Sequence, residues 1–342
     1  MMPKDPNYFY KFYKTRIKKH VPKCCFAINN ALGHATNGVG GDVETDEKKE
    51  ENKKYIKKIF ATDFSGVGEI NFKKSANPKV SIVIPAYNKW QFTYHCLRSI
   101  QENTQKIEFE VIVVDNASSD DTKLLFEKVT NVKYLRNDEN LGFSRACNQG
   151  ARAAKGKYLL FLNNDTVVKK HWLQPLVSEL DKNKKTSIVG SKLLFPNNTI
   201  QHAGVGFGND KIPRHIFYMA RENYESANKK KRLNAVTGAC LMIRREDFFQ
   251  AGGFDERYVN GLEDIDLCLK VGELGKKIIY IPKSVLYHYE SISEGRFLYT
   301  KKNTNLFLEK WDGKIISDYD KLNKDSLDIV IKKFINFLIW KK

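Results

Sequence analysis

Short apolar runs alternate with helix-like segments through the middle of this chain. The runs are residues 80–84, 111–114, 132–135 and 158–162, and they are rich in β-branched, aliphatic and aromatic side chains. Continuous apolar runs of this length predict strands that are buried on both faces. The segments between them carry apolar residues at helical spacing, one of them through Leu124, Leu125 and Val129. This alternation predicts an α/β fold with a Rossmann-like, mostly parallel sheet and helices on both faces.

The second half of the chain has a less regular pattern. Residues 187–195 and 201–207 predict two strands, and residues 277–281 and 285–289 predict two more. An apolar run over residues 234–243 contains Thr237, Gly238 and Ala239, where small side chains would let a ligand approach closely. A helix is predicted after Gly261. These elements predict a smaller mixed region beside the parallel sheet.

Polar side chains follow three of the predicted strands at the point where each strand ends. They are Tyr87 and Asn88, then Asp115 and Asn116, then Asn163, Asn164 and Asp165. Open α/β sheets bind ligands at the carboxyl ends of their strands, so we expect these groups to line one crevice. For residues 163–166 the alternative is a helix N-cap, because Asn, Asp and Thr also begin helices.

The crevice suits a nucleotide, but the chain has no glycine-rich phosphate loop of a known type. A bound diphosphate must then be neutralised by a metal ion or by basic side chains. Asp165 can supply an oxygen ligand to a hard divalent cation.

Positive charge is concentrated at the two ends of the chain. The net charge is +18, and residues 1–23 carry seven Lys and Arg against Asp5 alone, while residues 327–342 carry four lysines against Asp328. Anionic partners, either a membrane surface or nucleic acid, are therefore plausible. Residues 327–342 also place apolar side chains at helical spacing, which predicts a membrane-surface helix. The alternative is a helix that docks on its own domain or on a second subunit.

The cysteine spacing and the hydropathy of the chain exclude several classes of protein. The six cysteines include no C-x-x-C pair, so we expect neither a zinc site nor a disulfide framework, and a reducing cytosol fits. No apolar run reaches the roughly 20 residues needed to span a bilayer, and no signal peptide is expected. The predicted organisation is a basic, aromatic extension with a charged linker (1–77), the α/β domain (78–300) and a helical C-terminal extension (301–342).

The motifs taken in order resemble those of the family 2 glycosyltransferases, inverting enzymes with the GT-A fold. The resemblance covers about residues 79–293, and its pieces are specific through their order and spacing. They are the segments 81–88, 113–118, 140–143 and 161–166, then Gly253-Phe254-Asp255, the segment 263–267 and His288.

The resemblance implies roles for individual residues. Pro85, Tyr87, Asn88, Asp115 and Asn116 would contact the nucleoside of a sugar nucleotide, and Gly142, Asn148, Asn164 and Gly238 are further candidate contacts with this donor. Asp165 corresponds to the last acid of the family's Asp-x-Asp motif, which holds Mn²⁺ or Mg²⁺, and His288 to a second metal ligand. The first acid of that motif is replaced here by Asn163.

Asp264 corresponds to the family's general base. A carboxylate in that role takes the proton of an acceptor hydroxyl as it attacks the anomeric carbon. The neighbouring acids Glu263 and Asp266 are expected to support the structure. The mixed region of the fold would then face the acceptor.

The resemblance implies transfer of one sugar from a UDP- or dTDP-linked donor to a saccharide or lipid-linked acceptor, in cell-surface polysaccharide synthesis. We expect a cytoplasmic protein bound peripherally to the inner face of the cell membrane. Two other classes of protein would also fit parts of the sequence. A basic nucleic-acid-binding protein is disfavoured because the strand-end loops are acidic, so no nucleic-acid partner is expected. A non-catalytic binding module is disfavoured because Asp165 and Asp264 are both present.

Overall fold

The computed structural model of the protein describes residues 46–289 and 298–323, and the predicted alternation of strands and helices is found there. The strands are β1 (Ile70–Asn71), β2 (Val80–Ala86), β3 (Phe109–Asp115), β4 (Val129–Thr130), β5 (Lys133–Arg136), β6 (Tyr158–Leu162), β7 (Thr166–Val168), β8 (Thr186–Leu194), β9 (Ile200–His202), β10 (Val205–Phe207), β11 (Pro213–His215), β12 (Lys231–Leu233), β13 (Cys240–Arg244) and β14 (Lys277–His288). The helices are α1 (Asp46–Phe60), α2 (Trp90–Asn103), α3 (Thr122–Leu125), α4 (Gly142–Ala153), α5 (Leu173–Lys182), α6 (Arg245–Gln250), α7 (Glu263–Glu273), α8 (Thr300–Trp311) and α9 (Tyr319–Leu322).

One sheet of ten strands forms the centre of the fold. Its order is β12-β14-β8-β13-β6-β2-β3-β5, with β7 also paired to β14 and β9 to β8. The four strands β6, β2, β3 and β5 are parallel, as the sequence pattern predicts. Strand β13 is antiparallel to both β6 and β8, and this strand joins the parallel half to the mixed half. The predicted α/β class is confirmed.

Helices cover both faces of the sheet, and this explains the continuous apolar runs. Every residue of β2, β6 and β8 is buried. Alternate residues of β6 are buried in the two hydrophobic cores on opposite faces of the sheet. Phe161 packs in the core that includes helices α4, α7 and α8, and Leu160 packs in the core that includes helices α2 and α5. Burial of one such side chain stabilises the fold by roughly 1.5–3 kcal/mol.

Segments outside the predicted central domain pack against it. Phe60 of α1 meets Phe92 of α2 edge to face, with ring centroids 5.0 Å apart. At the other end, Phe307 and Trp311 of α8 are buried in the core that contains Phe161. Described contacts therefore cross both domain boundaries proposed from the sequence, at residues 77/78 and 300/301.

The structure differs from the sequence pattern at several element boundaries. The helix predicted through Val129 ends at Leu125, because Val129 pairs with the buried Ile70 in a separate two-stranded sheet. The strand predicted over residues 201–207 divides into β9 and β10 around Gly204, whose φ is +114°. The two strands predicted over residues 277–289 form the single strand β14, which has a register irregularity between Ile281 and Val285.

Residues 163–166 do not begin a helix. Thr166 starts strand β7, which pairs antiparallel with β14 and places Thr166 opposite His288. Helix α5 starts only at Leu173, after His171 adopts a left-handed φ of 65°. The helix N-cap alternative for Asn163–Thr166 is therefore wrong, and the reason is a strand pairing between residues far apart in sequence.

Two predicted features lie outside the described residues: the basic, aromatic stretch 1–23 and the membrane-surface helix 327–342. Within residues 46–289 and 298–323, none of the helices has the length and hydropathy that a bilayer crossing requires.

Candidate functional site

A cavity of about 510 Å³ opens at the carboxyl ends of β6 and β14. It brings together residues from distant parts of the chain. Its polar lining includes Asn163, Asp165, His215, Thr237, Gly238, Asp264, His288 and Asn303. The predicted metal ligands and the predicted base therefore face one cavity, which is the arrangement that a transfer between two bound substrates requires.

The pairing of β7 with β14 brings Asp165 and His288 into contact. His288 is opposite Thr166 in the register, and the Tyr289 amide donates to the carbonyl oxygen of Asp165 at 3.0 Å. The Nε2 atom of His288 is then 3.1 Å from Oδ1 of Asp165. Backbone hydrogen bonds thus fix the spacing of these two side chains.

Gln201 determines which nitrogen of His288 carries a hydrogen. The Gln201 side-chain amide donates to the carbonyl oxygen of His288 at 3.4 Å, and its Oε1 is 2.6 Å from Nδ1 of the ring. Since Oε1 can only accept, Nδ1 carries a hydrogen, which leaves Nε2 as the nitrogen that can present a lone pair to a cation in the cavity. Histidines that bind metals are commonly oriented by such a hydrogen bond at the opposite nitrogen.

Asn163 completes this corner of the cavity. Its Nδ2 is 3.3 Å from Nε2 of His288, and its Oδ1 is buried with no hydrogen-bond partner among the described residues. A lone pair on His288, a carboxylate oxygen of Asp165 and this orphaned amide oxygen fit a hard or borderline divalent cation.

The protein ligands alone are too few for a closed metal site. No cluster of three or more His, Cys, Asp or Glu suited to a metal ion occurs within residues 46–289 and 298–323. The arrangement fits a cation that is shared with oxygens of a bound substrate, as for Mg²⁺ held between carboxylates and phosphates.

Asp264 is held at the start of α7 with both carboxylate oxygens engaged. Oδ2 accepts from the Gly238 amide at 2.6 Å, and Oδ1 accepts from the Ile265 amide at 2.8 Å. A Cβ atom at position 238 would lie 3.0 Å from Cβ of Asp264, so glycine allows this close approach. Each oxygen keeps a second lone pair, so the carboxylate can still accept a proton from a ligand in the cavity.

The backbone before Asp264 is strained. Leu262 precedes the helix in the left-handed region, with φ of 74°. A non-glycine residue in such a conformation costs on the order of 1–3 kcal/mol, and these residues cluster at functional sites. The turn therefore sets the direction of Asp264.

The acids on either side of Asp264 bond within the protein. Glu263 accepts from the Gly261 amide at 2.6 Å and is buried. Asp266 is fully buried and accepts from the Trp311 indole at 2.8 Å and from Lys310 at 2.7 Å. The contacts of Asp266 join α7 to α8, consistent with its expected supporting role, while Glu263 also lines the cavity.

The strand ends after β2 and β3 form a second group of polar residues, at the parallel half of the sheet. Tyr87 is exposed, and Asn88 accepts from the Ser119 amide through Oδ1 at 2.7 Å. Asp115 is fully buried and accepts from the Ser118 amide at 2.9 Å, from the Tyr134 hydroxyl and from Arg136. Burial, followed by the hydrogen bond to Asp115, raises the pKa of Tyr134 to about 12, so Tyr134 remains a donor.

Asn116, Pro85 and Gly142 lie near this group. Asn116 is buried, donates to the carbonyl oxygen of Gly142 at 3.2 Å and accepts from the Asn137 amide group at 2.9 Å. Pro85 lies within β2, opposite Val114 of β3. Gly142 begins α4 with φ of +80°.

Two other predicted donor contacts bond within the protein. Asn148 accepts from the Phe254 amide at 3.0 Å and donates to the Phe254 carbonyl oxygen at 2.9 Å, which holds the loop after α6. Asn164 donates to the Thr93 hydroxyl at 3.0 Å. The nucleotide-contact roles of both residues stay predictions.

The buried cysteines do not supply a nucleophile. Cys96, Cys147, Cys240 and Cys268 are buried free thiols, and burial raises the pKa of Cys96 and of Cys240 to about 12. Thiols with such pKa values remain protonated at neutral pH. Proton abstraction by a carboxylate is the chemistry that the cavity supports.

Sequence reasoning missed three residues of the cavity region. Gln201 orients His288, His215 lines the cavity, and the fully buried His202 contacts His215. Gln201 and His202 open the strand predicted over residues 201–207, and no predicted element contains His215. Their roles depend on contacts between strands that periodicity does not reveal.

The match to known proteins covers the centre of the chain. Residues 81–250 match the family described as "Glycosyl transferase family 2". The O-antigen biosynthesis protein RfbC of Myxococcus xanthus is 33% identical over 233 residues, which cover 66% of this chain and 18% of that protein. The chain therefore spans less than a fifth of this relative.

A shorter relative and a solved structure agree with this match. The N-acetylglucosaminyl-diphospho-decaprenol L-rhamnosyltransferase of Mycobacterium tuberculosis strain H37Rv is 24% identical over 241 residues, covering 63% of this chain and 77% of that protein. The crystal structure of GalNAc-T7 with UDP, GalNAc and Mn²⁺ superposes with a TM-score of 0.54 at 20% identity, covering 74% of this chain and 54% of that chain. This likeness is one of fold.

Proposed function

Since residues 81–250 belong to glycosyl transferase family 2, we propose that this protein is an inverting glycosyltransferase with the cavity as its active site. The observation that carries the proposal is that Asp264 faces the same cavity as the Asp165–His288 pair. Asp264 can accept a proton there. Asp165 and His288 lie at the end of the cavity where the negative charge of a leaving group would be neutralised.

In the proposed reaction, Asp264 accepts the proton of an acceptor hydroxyl as that oxygen attacks the anomeric carbon of the donor sugar. The bond from this carbon to the diphosphate oxygen breaks, and the nucleoside diphosphate leaves with the bonding electrons. Direct displacement requires one base, and it does not need the nucleophilic carboxylate of a retaining glycosidase. Asp264 meets this requirement because it lines the cavity, whereas Asp266 is fully buried against Trp311 and does not line it.

We assign Asp165, His288 and the Asn163 amide oxygen to a divalent cation, Mn²⁺ or Mg²⁺, which would neutralise the leaving diphosphate. Gln201 keeps Nε2 of His288 available for this ion. The nucleoside is assigned to the residues after β2 and β3, namely Pro85, Tyr87, Asn88, Asp115 and Asn116, with Gly142 beside them. Gly238 contributes by allowing the approach of Asp264.

The proposed donor is a UDP- or dTDP-sugar, and the proposed acceptor is a saccharide or lipid-linked saccharide of a cell-surface polysaccharide. Relatives named for O-antigen biosynthesis and for rhamnosyl transfer to a diphospho-decaprenol acceptor support this class.

A screen of nucleotide sugars tests the proposed function. UDP-glucose, UDP-galactose, UDP-N-acetylglucosamine, dTDP-rhamnose and GDP-mannose would each be added with and without Mn²⁺, and unfolding temperature and donor hydrolysis would be measured. A ligand at 100 times its Kd stabilises the native state by roughly 2.7 kcal/mol. We expect a shift for at least one UDP- or dTDP-sugar, enlarged by Mn²⁺. No shift and no hydrolysis with any donor would count against the function.

Asn163→Asp is expected to tighten Mn²⁺ binding by about tenfold or more, because a carboxylate replaces a neutral carbonyl among the ligands. Without metal the variant should be less stable than the wild type, since two like charges then meet at Asp165. Isothermal titration with Mn²⁺ and thermal unfolding measure the two effects. Asn164→Asp is the matched control, because the Asn164 amide donates to Thr93 instead of lining the cavity. Equal Mn²⁺ affinity in both variants would remove Asn163 from the metal site.

Membrane attachment is proposed through residues 327–342, which lie outside the described part of the structure. Their apolar side chains at helical spacing and four lysines suit an anionic lipid surface at the cytoplasmic face. We expect deletion of residues 327–342 to reduce co-sedimentation with anionic vesicles, and replacement of the four lysines by glutamine to do the same. Neutral vesicles are the control. Undiminished binding after the deletion would assign lipid contact to another segment.

A further inference from the structure

Two histidines form a direct contact beside the proposed active site. His202 ends β9 and is fully buried, and His215 ends β11 and lines the cavity. Their Nδ1 atoms are 2.7 Å apart, with the ring planes at 85°. At this distance one of the two Nδ1 atoms must carry a hydrogen and the other must accept it.

The Thr237 amide decides which histidine donates. Its N–H points to Nε2 of His202, with a distance of 3.4 Å between the nitrogens. A backbone amide can only donate, so Nε2 of His202 is an acceptor and the proton of the neutral ring is on Nδ1. His202 therefore donates to Nδ1 of His215. The neutral His215 ring must then carry its own proton on Nε2, the nitrogen away from His202.

The pair is connected through neighbouring residues to both chemically important parts of the cavity. On one side, His202 follows Gln201, which orients His288. On the other side, Thr237 precedes Gly238, whose amide binds Asp264. His215 lines the cavity together with Asp165, His288 and Asp264, so a sugar bound in this cavity shares it with the ring of His215.

We propose, on the basis of the function proposed above, that the chain Thr237–His202–His215 fixes His215 as a neutral Nε2–H donor to a hydroxyl of the transferred donor sugar. His215 is thus a specificity-determining contact, and His202 is a positioning residue that acts through it. The recognised chemistry is a hydroxyl oxygen that accepts one hydrogen bond from an uncharged donor.

The buried partner is suited to this task. Burial, followed by the nearby His215 and His288, holds the pKa of His202 well below its usual range. His202 thus stays neutral at physiological pH. Addition of a second proton to His215 would place it on Nδ1 against the N–H of His202, so the hydrogen bond between the rings opposes that protonation.

Two substitutions of His215 test the roles of its two ring nitrogens separately. The glutamine side chain in His215→Gln places an amide near the position of Nε2 and can still donate into the cavity. The asparagine side chain in His215→Asn places its amide near Nδ1, where it can bond His202 but cannot reach the sugar. Both variants lose the imidazole, so general damage to the fold would affect both, and thermal unfolding would show it.

The quantity measured is the difference in affinity between a nucleotide sugar and the corresponding free nucleotide. The Kd of UDP would be compared with that of UDP-glucose, and the Kd of dTDP with that of dTDP-rhamnose, in the presence of Mn²⁺. We expect His215→Asn to weaken nucleotide-sugar binding by about three- to tenfold, the range for one neutral hydrogen bond, with nucleotide affinity unchanged. His215→Gln should retain most of the added affinity.

The outcomes distinguish the two proposals. If neither nucleotide nor nucleotide sugar binds the wild type, the proposed function fails, and this contact fails with it. If nucleotide sugars bind and His215→Asn leaves the added affinity unchanged, the function stands and this contact is wrong. A long-range ¹H–¹⁵N NMR spectrum of the histidine rings gives an independent check. We expect the proton of His202 on Nδ1 and that of His215 on Nε2, and the reverse pattern would overturn the proposal.

Discussion

Asp264→Asn is expected to lower the transfer rate by about 10²- to 10⁴-fold, the usual loss when a positioned general base is removed. An asparagine amide cannot take a proton from the acceptor hydroxyl at neutral pH. One of its two positions is also an N–H₂ group, so either the Gly238 or the Ile265 amide loses its acceptor. Donor affinity should change little, because Asp264 is assigned to the acceptor hydroxyl. The measurement is the transfer rate together with the donor Kd.

Asp266→Asn is the matched control, since it makes the same chemical change two residues away. Asp266 is buried against Trp311 and Lys310 and does not line the cavity. We expect this variant to lose stability and to keep most of its transfer rate below its unfolding temperature, the opposite pattern to Asp264→Asn. Near-normal turnover in the Asp264 variant would move the base to Glu263 or Asp266. Lost donor binding in that variant would make Asp264 a structural or metal-linked residue.

Asp165→Ala is expected to weaken Mn²⁺ binding by on the order of 100-fold, since removal of even an outer partner of a metal ligand typically costs 10- to 100-fold. The substitution leaves His288 as the one charged or imidazole ligand beside the Asn163 amide. Donor affinity in Mn²⁺ and transfer activity should fall together, by orders of magnitude for activity. Titration of Mn²⁺, followed by electron paramagnetic resonance of the free ion, reads the metal directly.

Asp121→Ala is a suitable control for this experiment, because Asp121 is exposed, makes no capping hydrogen bond at α3 and does not line the cavity. It should bind Mn²⁺ and donor as the wild type does. If the wild type transfers sugar at full rate in the presence of a chelator, the metal hypothesis fails. Basic side chains would then have to neutralise the diphosphate.

The sequence pattern predicts those parts of the fold that depend on residues close together in the chain. The apolar run of β6 ends where polar side chains begin, and this placed Asn163 and Asp165 at the edge of the sheet. Asp264 was predicted at the start of a helix, and α7 begins at Glu263. These features depend on burial and helix signals within a few residues of one another.

Contacts between distant strands could not be predicted in this way. The strand β7 is only three residues long, and its pairing with β14 follows from register in the assembled sheet. The same is true of Gln201 against His288 and of His202 against His215. Asn148 is a candidate donor contact on the resemblance alone, and its hydrogen bonds to the Phe254 backbone are a further contact between distant segments.

The pairing of β7 with β14 has a consequence for the order in which the protein assembles. Asn163 and His288 are 125 residues apart in the chain, so their contact closes a very large loop. The entropy of loop closure disfavours such contacts until other native structure has formed, so this corner of the cavity should be completed late in folding. A cation that binds Asp165 and His288 would cross-link the two ends of that loop. It would therefore suppress opening of the β7–β14 pair, and amide hydrogen exchange in these two strands would slow more than exchange elsewhere in the sheet.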